Sequence, residues 1–153
     1  MRTSLSYIIV ALFFIGCSKE NQVELEKDIS YELAKYRKHQ ISNISYDLHF
    51  KIPKAKETAI TANLVALFNI HDLKNDVLLD FNEVSTNIKS IKTNGENTKI
   101  HHEKEHIIID KHHLNLGENI IEIDFNAGET SLNRNEEFLY TLLVPDRAST
   151  LFP

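Results

Sequence analysis

From Ile41 onward, apolar and polar residues alternate in one stretch after another. Ile44, Tyr46, Leu48 and Phe50 do so first, and Ile60, Ala62, Leu64, Ala66 and Phe68 repeat it within Thr58 to Ile70. A period of two sends successive side chains to opposite faces of a strand, so such a stretch buries one face and wets the other. Pro53 closes the first strand, because it has no amide hydrogen for a ladder. Val77 to Phe81 reads as a short apolar strand, and Ile88 to Lys92 runs into Asn94-Gly95, a strong hairpin-turn signal. His106 to Asp110 and Ile120 to Phe125 read as two more, separated by a turn at Gly117-Glu118. Phe138, Tyr140, Leu142 and Val144 alternate with Leu139, Thr141 and Leu143, so this last stretch is apolar on both faces. It reads as a strand buried on both sides, or an interior sheet edge, that Pro145 ends. About seven strands at such spacing predict a mostly β fold, an antiparallel sandwich or curved sheet, in one domain over residues 41–153.

The residues before Ile41 have another character. Arg2 gives a positive end, Tyr7 to Ile15 is an apolar run, and Phe14-Ile15-Gly16-Cys17 has the look of a lipobox. The run is shorter than the roughly 20 apolar residues that span a bilayer, and it fits a secretory signal over residues 1–17. Cys17 is the sole cysteine, so no intramolecular disulfide forms, and its place after a small residue marks it as the acylation site of a bacterial lipoprotein. An ordinary cleaved signal peptide is the alternative. Two or three acyl chains would hold the protein firmly on the membrane of the cell envelope, each buried methylene contributing about 0.8 kcal/mol. Residues 18–40 then supply a polar tether and a short helix. Leu25, Ile29, Leu33 and Tyr36 form one helical stripe, Ser30 can cap its start, and Lys35, Arg37 and Lys38 suit the negative end of its dipole. The helix packs on its own domain or, alternatively, binds a partner.

The formal net charge of −5, with no long Lys/Arg block, argues against nucleic acid as a partner. The sequence has no Gly-rich phosphate loop and no nucleophile elbow, so catalysis would fall to the histidines. His102-Glu103-Lys104-Glu105-His106 is a literal His-Glu-x-x-His. In zinc peptidases that spacing works on a helix, where residues four apart share a face and the Glu stands beside the metal-bound water. Here Asn94-Gly95 turns the chain upstream and three β-branched residues, Ile107 to Ile109, follow at once. The stretch therefore reads as a solvated hairpin. In an extended strand the two imidazoles would stand roughly 13 Å apart, too far for one zinc. His101, His102, His106, His112 and His113 could still converge across neighbouring strands and capture a metal adventitiously, whereas His39, His49 and His71 read as surface or strand-face residues. Glu136-Glu137 and Glu122-Asp124 read as charged outer faces, Asn43-Ile44-Ser45 is a formal glycosylation acceptor, and Asn133-Arg134-Asn135 reads as polar loop.

The end of the chain carries a family resemblance. Thr141, Pro145, Ala148 and Phe152-Pro153 fall, without a gap, at the spacing of Thr-x-x-[Glu/Gln]-Pro-x-x-Ala-Arg-x-x-Phe-Pro-Cys. That stretch belongs to the amino-terminal β domain of the aminopeptidase N family of zinc peptidases, and Leu132-Asn133-Arg134 and Phe138 resemble the approach to it in lipoprotein members. The likeness covers roughly Gln40 to Pro153. It implies a saddle-like β domain resting on a thermolysin-like catalytic domain, with zinc and peptide substrate belonging to the full-length protein and no cofactor in this chain. It also implies that Leu142, Val144 and Pro145 line the wall of the substrate cleft. The family's carboxylate or amide is replaced by Val144, the Gln often found two residues earlier by Leu142, and the Arg after Ala148 by Ser149. Amine recognition by these side chains is thereby lost. Between its two histidines the family keeps uncharged residues, where this chain has Lys104 and Glu105, and its third zinc ligand corresponds to Phe125. The family continues past Phe-Pro into further strands and the helical zinc motif, so the expectation is a chain truncated before its catalytic domain and inactive alone. The two alternatives are a stand-alone binding lipoprotein and a small zinc hydrolase built on His102, Glu103 and His106.

Overall fold

The computed structural model describes residues 25–144 and 147–153. The signal peptide, Cys17, the polar tether and Pro145 lie outside the described residues. Among the described residues one α-helix precedes ten strands. Helix α1 spans Tyr31–Gln40, and the Ser30 hydroxyl caps it by accepting from the Leu33 amide at 3.1 Å. Arg37, Lys38 and His39 occupy its last turn, where the dipole favours cations. Leu33 is buried, as the stripe predicts, but Ile29 precedes the helix and is 55% exposed. The buried Gln40 takes the inner face instead, donating to the Asn75 carbonyl at 2.9 Å.

A five-stranded antiparallel sheet, in the order β1-β2-β8-β4-β5, is built from β1 (Ile41–Lys51), β2 (Thr61–Ile70), β4 (Ile88–Thr93), β5 (Glu96–Thr98) and β8 (Gly117–Asn126). Strands β3 (Val77–Asp80), β6 (His102–Glu103) and β7 (His106–Ile109) form a second sheet in the order β3-β7-β6. The two share one core. Leu64, Ala66 and Phe68 of β2 and Ile121, Ile123 and Phe125 of β8 meet Val77, Leu79, Ile107 and Ile109, and Phe81 crosses Phe125 edge-on at 5.7 Å. Full burial of each large side chain contributes at most about 1.5–3 kcal/mol. The alternation in β2 and β8 is therefore what holds the sheets together.

The mostly β, antiparallel reading with one short helix describes the fold. Three strands escaped it, β5, β6 and β9 (Leu132–Arg134), all of three residues or fewer. The Asn94-Gly95 turn joins β4 to β5 with both residues at positive φ, 53° and 85°. Gly117, expected in a turn, instead opens β8 at φ 89°.

The C-terminal strand is corrected. Strand β10 is Leu139–Thr141 and, among the described residues, pairs only with β9. It is not buried on either face: Phe138, Leu139, Tyr140, Leu142 and Val144 are 43–67% exposed. Apolar residues on both faces imply burial only where a sheet has neighbours above and below; in this two-stranded ribbon Leu132 and Leu143 pack against the core while the other large apolar side chains around β10 stay exposed. The last residues, by contrast, are covered. Leu151 is buried in the core and the Phe152 ring meets Phe50 at 6.3 Å. Arg134, expected in a polar loop, is 4% exposed and donates to the carbonyls of Pro53, Lys56 and Thr58, tying down the turn after β1.

Candidate functional site

The His-Glu-x-x-His stretch is a two-residue β-hairpin. Glu103 pairs with His106 and His102 with Ile107, and the turn residues Lys104 and Glu105 both take positive φ, 48° and 67°. This is the twist-matched turn of tight hairpins, adopted here without glycine. Directly opposed residues share a face, so His106 lies on the side of Glu103 and His102 on the side of Ile107. The two imidazoles point to opposite faces. That, rather than an extended separation, is why they do not converge on one metal.

Each histidine is committed elsewhere. The His102 Nε2 lies 2.8 Å from the Phe81 carbonyl oxygen. His106 is not solvated as expected: it is 1% exposed, with Nδ1 at 2.8 Å from Asp80 Oδ1 and Nε2 at 3.0 Å from the Glu26 carbonyl oxygen. In a catalytic Asp–His pair the carboxylate orients Nδ1 and leaves Nε2 free as a base. Here the Glu26 carbonyl occupies Nε2. Asp80 also accepts a fork of two bonds from Arg37, at 2.6 and 2.7 Å. Arg37, Asp80 and His106 thus form one network between α1, the end of β3 and the hairpin.

The tip of the hairpin holds the chain segment before α1. Lys104 Nζ donates to the Leu25 carbonyl at 2.7 Å, and Lys27 pairs with Glu105 at 2.8 Å. That pairing, chiefly its hydrogen bond, raises the Lys27 pKa. With His106 on Glu26, three successive residues of the hairpin, Lys104 to His106, bind three successive residues, Leu25 to Lys27. No local pattern announced this, because the partners are about 80 residues apart and two of the three on the earlier segment are backbone carbonyls.

The other histidines do not join. His101 lies 3.8 Å from Glu103, and His112 binds Asp110 at 2.6 Å, where its backbone and side-chain bonds hold the Asp110 carboxyl below its usual range. His39, His49 and His71 are exposed, as expected. Among the described residues no cluster of three His, Cys, Asp or Glu side chains is placed to hold a metal ion. The donor set at His102, Glu103 and His106 does not fit a zinc ion, since both histidines lean on oxygen acceptors and face apart.

Two cavities flank the network. One of about 440 Å³ is walled by Asp28, Asp80, Glu105, His106, Arg147 and Ser149, and one of about 450 Å³ lies between α1 and the three-stranded sheet, reached by Tyr36 and Arg37. Burial raises the Tyr36 phenol, and its bond to Asp72 at 2.9 Å adds to the rise. On the outer face of the larger sheet Asp124 accepts from Asn63 and Ser90, which lower its pKa. Leu142 and Val144 belong to the exposed strip of the β10 ribbon, not to either cavity.

Comparison with protein-family models, with curated protein sequences and with solved structures finds no match to this chain.

Proposed function

We propose that the chain is the non-catalytic amino-terminal β domain of a membrane-anchored zinc aminopeptidase, presenting the Phe138 to Val144 strip to a catalytic domain. The observation that carries this reading is the strip itself. Five large apolar side chains stand exposed within seven residues, on a ribbon that forms its own two-stranded sheet, and they coincide with the stretch that resembles the family. Contiguous exposed apolar surface of this kind is the mark of a surface that meets another. The geometry of His102, Glu103 and His106 supports assigning zinc and the general base to the partner domain. Anchoring would come through Cys17, on the periplasmic or outer side of a bacterial envelope, and peptide substrate would be met only by the full-length protein.

The nucleotide sequence beyond the Pro153 codon tests this. An open frame running into Cys, a Gly-x-Met-Glu-Asn loop and a helical His-Glu-x-x-His is the expected result. A verified stop, with no such remnant in any frame or neighbouring gene, overturns the proposal in favour of a stand-alone binding lipoprotein.

A further inference from the structure

We infer that two copies of this chain associate edge to edge through β1, on a two-fold axis at His49. The inference is independent of the β10 strip and of the aminopeptidase reading. Strand β1 has eleven residues, and among the described residues it pairs only with β2. The opposite edge of the same sheet, β5, has three residues, and the β6 edge of the smaller sheet has two. Very short edges discourage pairing with another chain, whereas a long one presents a row of free amides and carbonyls. The sole irregularity of β1 lies at its start, where Asn43 takes φ 53° and the register with β2 slips between Ser42 and Ser45. Ser45 to Lys51 is left regular, with Ile52 and Pro53 just beyond the strand.

The side chains choose the register. In an antiparallel pair, opposed residues either both point their backbone groups at each other or both point away. A two-fold pairing of identical strands therefore has its axis through a residue. With the axis at His49, Asp47 faces Lys51 of the other copy, and the same pair recurs across the axis. On the core side, in register with the buried Leu64 and Ala62 of β2, Leu48 then faces Phe50, and Tyr46 faces Ile52. Tyr46 and Ile52 are now 41% and 44% exposed, and this contact covers both. An axis at Asp47 sets that carboxylate against its own copy. Axes at Leu48 and Phe50 oppose Lys51 to Ser45 and to His49 respectively. The His49 axis alone sets a carboxylate against a permanent cation, twice. About eight residues a side is a small interface, so the association is concentration-dependent.

Cysteine scanning on the full chain, with Cys17→Ser so that each variant has one thiol, tests the register. Directly opposed residues have Cα atoms about 4.5–5.5 Å apart, which a disulfide spans. Residues two places off the axis meet their own copies at roughly 13 Å, which it does not. Mild oxidation is expected to link His49→Cys into a dimer, to leave Asp47→Cys and Lys51→Cys monomeric, and to link a mixture of those two. Adding Asp47→Lys to His49→Cys should lower the yield about tenfold, and adding Lys51→Asp as well should restore it. All three positions are exposed, and circular dichroism verifies that each variant folds. No excess linkage at His49→Cys, equal linkage at every position, or a charge reversal without effect overturns the inference.

Discussion

Replacing Asp80 with Asn tests the network beneath the hairpin. Asp80 accepts two bonds from Arg37 and lies 2.8 Å from His106 Nδ1. The amide keeps the shape and one acceptor oxygen for His106 but removes the charge, leaving the Arg37 guanidinium, whose side chain is 18% exposed, without its counter-ion. Hydrogen bonds to charged groups contribute about 1.5–3 kcal/mol, and breaking a fully buried pair costs about 3–5 kcal/mol. Water reaches this pair, Asp80 being 25% exposed, so the loss should be about 2–4 kcal/mol, or about 10 °C in Tm. Denaturant unfolding of Arg37→Met, Asp80→Asn and the double variant isolates the pair. A coupling energy of about 1.5 kcal/mol or more is expected, because Asp80→Asn orphans a cation only when Arg37 is present. Amide exchange over residues 25–30 should rise in parallel, since His106 holds Glu26. A coupling below about 0.5 kcal/mol, or unchanged exchange, refutes the reasoning.

Gly128→Ala should cost about 1–3 kcal/mol by denaturant melt, because a Cβ there collides with the Thr150 carbonyl and the Glu83 carboxylate, and Leu151 should lose protection first. Asp124 has a folded pKa lowered by Asn63 and Ser90, so its stabilisation is present above the unfolded carboxylate pKa and fades as pH falls through the folded one. The stability advantage over Asp124→Asn, followed by thermal melts, should therefore be seen near pH 6 and vanish in strong acid. Phe138→Ser, Leu142→Ser and Val144→Ser together should change stability by no more than about 1 kcal/mol while reducing aggregation by light scattering, because all three side chains are exposed.

Strands β1, β2, β4 and β8 of the five-stranded sheet were legible because their evidence is local, whereas the three-residue β5 was not. The alternation of Ala62 to Phe68 and of Ile121 to Phe125 is written in consecutive residues, and Asn94-Gly95 names its own turn. The hairpin character of His102 to His106 was legible for the same reason, from Ile107 to Ile109 behind it. What the sequence did not convey depends on partners far along the chain. Nothing near Asp80 indicates Arg37 or His106, and nothing near Arg134 indicates the carbonyls of Pro53, Lys56 and Thr58. The Phe138 to Val144 stretch misled because composition reports how apolar a strand is but not whether a second layer exists to cover it. The cover of Phe152 is likewise remote, being Phe50 about 100 residues earlier.

On this account His102 to His106 form a hairpin whose Lys104, Glu105 and His106 clasp the segment before α1, and not a metal centre. Zinc titration of the purified chain by isothermal calorimetry, beside the His102→Gln and His106→Gln variants, tests that directly. The account predicts no one-to-one site at micromolar zinc, and a loss of stability in His106→Gln with or without the metal. A single tight site that disappears in both variants would contradict it.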